Sequence, residues 1–219
     1  MKSKIALVLC LSANLLLVAC GTDAPTSQDQ LDVVATSYQP NYRFQDAQTY
    51  ALPSQVAVIS DAGSTAQTLD PALSQNVLQS IRNQLNSRGY TEDTSNSQSS
   101  PPSIFVEVSK MNTTTTQVYY DYWYGYYGGY YAPYYGSAYG VGWAPVTVPY
   151  VIEATVGSLI INVTDPNHPD QGDKKIPSVW ASVINGVIDN SSQADIQQRV
   201  DAGIQQAFAQ SPYFTRSTP

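Results

Sequence analysis

The sequence predicts an α+β domain: an antiparallel sheet with two helices packed on one face and a long Tyr/Gly-rich loop between strands. Three observations carry this prediction. Two segments repeat apolar residues every four positions, the spacing of a helix that buries one face. Several short runs of β-branched and aromatic residues are separated by turn signals, the pattern of strands joined as hairpins. Between them, eleven tyrosines fall from Tyr119 to Tyr139, a stretch in which neither period survives.

The chain opens with a segment that does not belong to the fold. Lys2 and Lys4 make a short basic start, and Ile5 to Val18 is apolar apart from Ser12 and Asn14. That run falls short of the roughly 20 residues a membrane-spanning helix needs. Leu17-Val18-Ala19-Cys20 resembles a bacterial lipobox, so residues 1–19 read as a lipoprotein signal peptide and Cys20 as the lipidation site. The expected modification is acylation with palmitate-type chains. The reading implies a membrane-anchored, periplasm-facing protein of the bacterial cell envelope. Gly21, rather than aspartate, follows the cysteine and favours the outer membrane.

Removing the signal leaves 8 basic residues against 17 acidic ones, a net charge of about −9. Such a surface is a poor partner for nucleic acid. With Cys10 lost and Cys20 acylated, no thiol remains for a disulfide, so stability must come from the core. Residues 20–40 are polar and read as a flexible tether, with a single domain over 41–215.

Within the domain, Tyr42-Arg43-Phe44 and Thr49 to Leu52 have strand composition, and Val56 to Ile59 reads as a further strand. Asp70 is a suitable N-cap and Pro71 suits the first helical position. Leu73, Val77, Ile81 and Leu85 then line one helix face, and Gly89 stands where a left-handed C-terminal cap is expected. Ile104 to Val108 begins a strand with Thr116 as its outer limit. Val156 to Val163 and Val179 to Ile184 form a strand pair around the proline-bearing turn at 165–173. Ser192 with Asp195 resembles a capping box. It precedes the second helical stripe of Ile196, Val200, Ile204 and Phe208.

The tyrosine-rich stretch is the distinctive feature. Tyrosine combines a flat apolar face with a polar tip, which suits recognition. Tyr119, Tyr120, Tyr122, Trp123, Tyr124, Tyr126, Tyr127, Tyr130, Tyr131, Tyr134, Tyr135, Tyr139 and Trp143 form the candidate contact surface. Without a core period and with several glycines, the segment is expected to add little to stability.

Tyr50-Ala-Leu-Pro53, the helix end Leu85-Asn-Ser-Arg-Gly-Tyr90, Ile104 to Val108 before the aromatic loop, Gly157 to Asp165 with Trp180, and Ser211-Pro-Tyr-Phe214 occur in that order. Together they resemble the DUF4136 family of bacterial envelope lipoproteins, over about residues 40 to 214. The family pattern places an acidic residue where this chain has Asn162, and the link to Trp180 is longer here. The resemblance implies an envelope location and brings no catalytic residue.

Chemistry is sparse. His168 is the only histidine and sits in the turn at 165–173, where a solvated position is expected. No second histidine or free thiolate stands ready for zinc. Asp165, Asp170 and Asp173 do not follow the alternation of an EF-hand loop. No phosphate-cradling or dinucleotide motif is present, and no cofactor is implied. The sequence thus points to a non-enzymatic, lipid-anchored envelope protein acting through protein or cell-wall contacts. A glycan-binding module using the tyrosine loop is the first alternative and a cryptic hydrolase the second.

Overall fold

The structure is a computed structural model that describes residues 33–61, 69–95, 97–113, 130–135, 144–145, 154–169 and 175–216. Its strands are β1 (Val34–Tyr38), β2 (Thr49–Ala51), β3 (Ala57–Ile59), β4 (Thr91–Glu92), β5 (Ile104–Met111), β6 (Ala144–Pro145), β7 (Leu159–Thr164), β8 (Lys175–Ile176) and β9 (Ser178–Ile184). The helical segments are α1 (Pro71–Ser87), α2 (130–135) and α3 (Gln193–Ala209). A seven-stranded sheet runs β1-β9-β7-β5-β2-β4, with β3 also on β5, and β6 and β8 make a separate pair.

The α+β architecture holds, and the sheet is mostly antiparallel: β1/β9, β7/β9 and β5/β7 all pair that way. The pairs β2/β5, β3/β5 and β2/β4 are parallel. The cause is α1, which lies between β3 and β4. A helical crossover carries the chain back along the sheet, so the strands on either side of it run in one direction. On its other edge from β7, β5 is met first by β2 at Ile104 and Phe105, then by β3 at Ser109 to Met111. Pro53, which lacks an N–H, lies in the gap between the two. Ser74 Oγ on α1 accepts from the Val56 amide in that gap at 2.8 Å.

Three segments differ from the sequence expectation. Residues 34–38, expected within the tether, form β1, paired from Val34↔Ile184 to Tyr38↔Trp180. Their side chains are only half-buried, so the strand is held by its backbone ladder and leaves little hydrophobic signal. Around Phe44 the chain forms a 3-10 turn, Phe44–Asp46, rather than a strand. Val156 is exposed and precedes the strand expected to contain it, because β7 begins at Leu159.

Both helices lie on one face. Leu73, Val77, Leu78, Ile81 and Leu85 of α1 and Ile196, Val200, Ile204 and Phe208 of α3 are buried. They share one core with Val106, Val108, Ile161, Val163 and Trp180 of the sheet. Asp70 Oδ1 accepts from the Leu73 amide at 3.0 Å. At the other end the Tyr90 amide donates to Leu85 O at 3.2 Å and the Gly89 amide to Asn86 O at 3.0 Å. This is the Schellman pattern, and Gly89 supplies its left-handed residue at φ +89°. Gly203 meets β9 closely: a Cβ there would stand 2.5 Å from Ile184 Cγ2, so any side chain would force Ile184 or α3 to shift.

Two arginines complete the frame. Arg88 donates to the carbonyls of Phe208 at 2.6 Å and Phe214 at 3.3 Å, closing the C-terminal end of α3. Arg199 is buried, donating to Asp189 Oδ2 at 2.7 Å and Gly186 O at 2.6 Å. Burial alone would raise the Asp189 pKa; hydrogen bonds from Ser191 and Arg199 outweigh it and hold the carboxyl at about 2.

Two outcomes follow from this packing. Val77 is fully buried, so Val77→Asp places an unpaired charge in the core and should cost more than about 3 kcal/mol in denaturant unfolding. Asp189 binds protons less tightly in the folded state than in the unfolded one. Its contribution is complete above its ordinary pKa near 3.8 and is lost as pH falls toward 2. Thermal unfolding followed between pH 5 and 2 should therefore show a shallower acid decline in Asp189→Asn than in the native chain.

Candidate functional site

The sheet's second face is covered by tyrosines. Phe105, Ile160, Ala181 and Val183 point away from the two long helices and form a second core with Tyr131, Tyr134 and Ile176. Alternation along each strand dictates this: residues flanking those of the first core must face the other side. Phe105 is the hub, edge-on to Tyr131 at 4.6 Å and to Tyr134 at 5.0 Å between ring centroids.

Polar groups lie beneath α2. Glu107, in the middle of β5, is 1% exposed. Its carboxyl accepts from Tyr131 Oη at 2.6 Å and from Asn162 Nδ2 at 2.6 Å. Ser178 Oγ donates in turn to Asn162 Oδ1 at 2.5 Å. Burial, followed by the nearby Glu107 charge, pushes the Tyr131 pKa well up, so the hydroxyl keeps its proton and remains a donor. Asn162 thus supplies a donor to Glu107. Tyr130 Oη donates to Val106 O at 2.7 Å.

The expected contact surface is therefore divided. Tyr131 and Tyr134 are 1% and 6% exposed and belong to the core, while Tyr130 and Tyr135 are partly buried against it. The expectation that this stretch adds little to stability is overturned for these residues, because the second sheet face needs a cover. Tyr119, Tyr120, Tyr122, Trp123, Tyr124, Tyr126, Tyr127, Tyr139, Trp143 and the lipidation candidate Cys20 lie outside the described residues.

A concave site lies at the end of β7. A cleft of about 550 Å³ is bounded by Gln39, Asn41, Tyr42 and Arg43 on one side and by Ser103, Asp165 and His168 on the other. Asp165 terminates β7 and is 2% exposed. Its Oδ1 accepts from the Asn167 amide at 2.8 Å, folding the turn. Its Oδ2 accepts from Tyr42 Oη at 3.0 Å and faces His168 Nδ1 at 2.8 Å. Burial first, then the Asp165 charge, raises the Tyr42 pKa strongly. The expectation of an exposed His168 agrees with its 80% side-chain exposure. Its pairing with a buried carboxylate was not expected.

The same turn is tied to the aromatic cover. Asn167 Nδ2 donates to Pro102 O at 3.1 Å and Ser103 O at 3.0 Å, while its Oδ1 accepts from Tyr135 Oη at 2.9 Å. Sequence reasoning missed this site because Tyr42 and Asp165 are 123 positions apart. The available signal was local: an aspartate three positions before the lone histidine, in a turn. Among the described residues no group of three or more His, Cys, Asp and Glu side chains is placed to hold a metal.

Tyr131→Ala should cost about 3 kcal/mol or more in denaturant unfolding, as for other large buried aromatics. A cost below about 1 kcal/mol would mean that the second face closes without this ring.

No functionally curated protein matches the chain. A DUF4136 family protein from Bacteroides thetaiotaomicron has a similar structure, with a TM-score of 0.61 at 23% identity, covering 85% of this chain and 98% of that one. A PDZ domain protein from Parabacteroides distasonis matches at a TM-score of 0.38 and 16% identity, over 83% of this chain and 36% of that one. The PelC dodecamer protein from Paraburkholderia phytofirmans matches at 0.35 and 10% identity, over 85% and 99%. The profile described as "Domain of unknown function (DUF4136)" matches residues 34–213, from the first residue of β1 to just past α3. The chain belongs to the DUF4136 family.

Proposed function

We propose that this protein is a lipid-anchored component of the bacterial cell envelope that acts by contact with protein or cell wall rather than by catalysis. The observation that supports it is the N-terminal order of basic start, short apolar run and Leu17-Val18-Ala19-Cys20. Each buried CH₂ contributes about 0.8 kcal/mol, so one acyl chain binds marginally and two or three hold permanently. The chain from Cys20 to β1 at Val34 reaches at most about 50 Å, which keeps the domain near its membrane. Among the described residues no helix is long and apolar enough to cross a membrane. On this reading the protein faces the periplasm from the outer membrane, the side favoured by Gly21.

The contact part of the reading rests on the cleft. Its walls carry amide, hydroxyl, imidazole, guanidinium and carboxylate groups around a recess, a surface suited to recognition.

Two measurements test the proposal. Metabolic labelling with palmitate should mark the native protein and leave Cys20→Ser unlabelled, with the variant absent from the detergent-extracted membrane fraction. A labelled, normally fractionating Cys20→Ser would end the anchor reading. Crosslinking in intact cells should join the native protein to an envelope protein or to cell-wall material.

A further inference from the structure

We infer that the cleft beside β7 is a binding site for a neutral carbohydrate, with His168, Gln39 and Asn41 reading its hydroxyl groups. The inference deepens the contact reading above by naming a ligand class, and it is independent of the anchor.

The first support is the placement of His168. Asp165 is buried and already accepts from Tyr42 Oη and the Asn167 amide, so its carboxylate is fixed in place. His168 Nδ1 lies 2.8 Å from Asp165 Oδ2, a contact that fixes the orientation of the ring. Nε2 has no hydrogen-bond partner among the described residues, on a side chain that is 80% exposed and lines the cleft. A ring nitrogen oriented in this way by a buried carboxylate suits a hydroxyl, which can both donate and accept.

The second support is the company it keeps. Gln39 and Asn41 line the same cleft, and each amide offers a donor and an acceptor together. Adjacent hydroxyls on a sugar ring present the matching pair. Tyr42 adds aromatic surface to the wall, while its hydroxyl is spent on Asp165. A volume of about 550 Å³ lies in the range of small-molecule sites, roughly 300–1,000 Å³.

The third support is charge. The cation on the rim, Arg43, is paired with Asp46 at 3.0 Å. The buried Asp165 has its donors, and the chain as a whole is acidic. An anionic ligand would find no uncompensated positive group among these lining residues. A neutral, hydroxyl-rich ligand matches what they offer.

His168 is the only histidine in the sequence, so its imidazole gives one uncrowded NMR resonance. The full chain, purified in detergent without a histidine tag, is titrated with chitotriose, cellotriose and maltotriose. Trigalacturonate serves as the anionic comparison and a neutral tripeptide as the peptide comparison. At least one neutral sugar should shift the imidazole resonance saturably. Gln39→Ala combined with Asn41→Ala should weaken that sugar about tenfold, with the unfolding temperature unchanged. His168→Gln, followed by calorimetry, should weaken it likewise. The inference is overturned by no shift with any of the three sugars, by undiminished affinity in the variants, or by tighter binding of trigalacturonate or the peptide. Palmitate labelling reads the anchor separately, so failure here leaves that reading standing.

Discussion

The fold depends on one strand being closed off from water on every side. β5 pairs with β7 along one edge and with β2 and then β3 along the other. Val106 and Val108 face the long helices, and Phe105 faces α2. A strand in this position leaves solvent little to satisfy: every side chain but that of Lys110 is buried. Every element around it is therefore constrained: two helices must cover one side, and something must cover the other.

The cover on the second side explains why Glu107 is tolerated there. A carboxyl at the centre of a sheet is costly unless its oxygens are engaged. Tyr131 and Asn162 engage them, and Tyr131 can do so only if α2 lies down on the sheet. The polar cluster thus selects one placement for α2 among the many that apolar contact alone would allow.

The sequence made the helices legible because their signals are local. Asp70, Pro71 and the four-residue stripes lie within a few turns, and each acts without help from distant chain. β5 and β9 were legible from β-branched composition. β1 was not, because half-buried side chains at 34–38 derive their strand geometry from β9, far along the chain. The tyrosines of α2 were not either. Low complexity hides any period, and their burial is imposed by a sheet face whose second side the sequence does not reveal. At the cleft, His168 and Asp165 sit three positions apart and could be read as a turn, whereas Tyr42 joins them only through the fold.

The division between interior and edge strands sets a hierarchy of local opening. β1 is an edge strand with half-buried side chains, and Trp180 opposite it is still covered by Phe208 and Phe214 when β1 is away. Its amides can detach while the rest of the sheet stays closed, at a free energy below that of global unfolding. The amides of β5 open only when the whole domain does. Where the chain enters the domain, then, residues 34–38 can leave the ladder while the interior strands stay paired, at the cost of the Val34 contact with the first core and the Tyr38–Tyr213 stack.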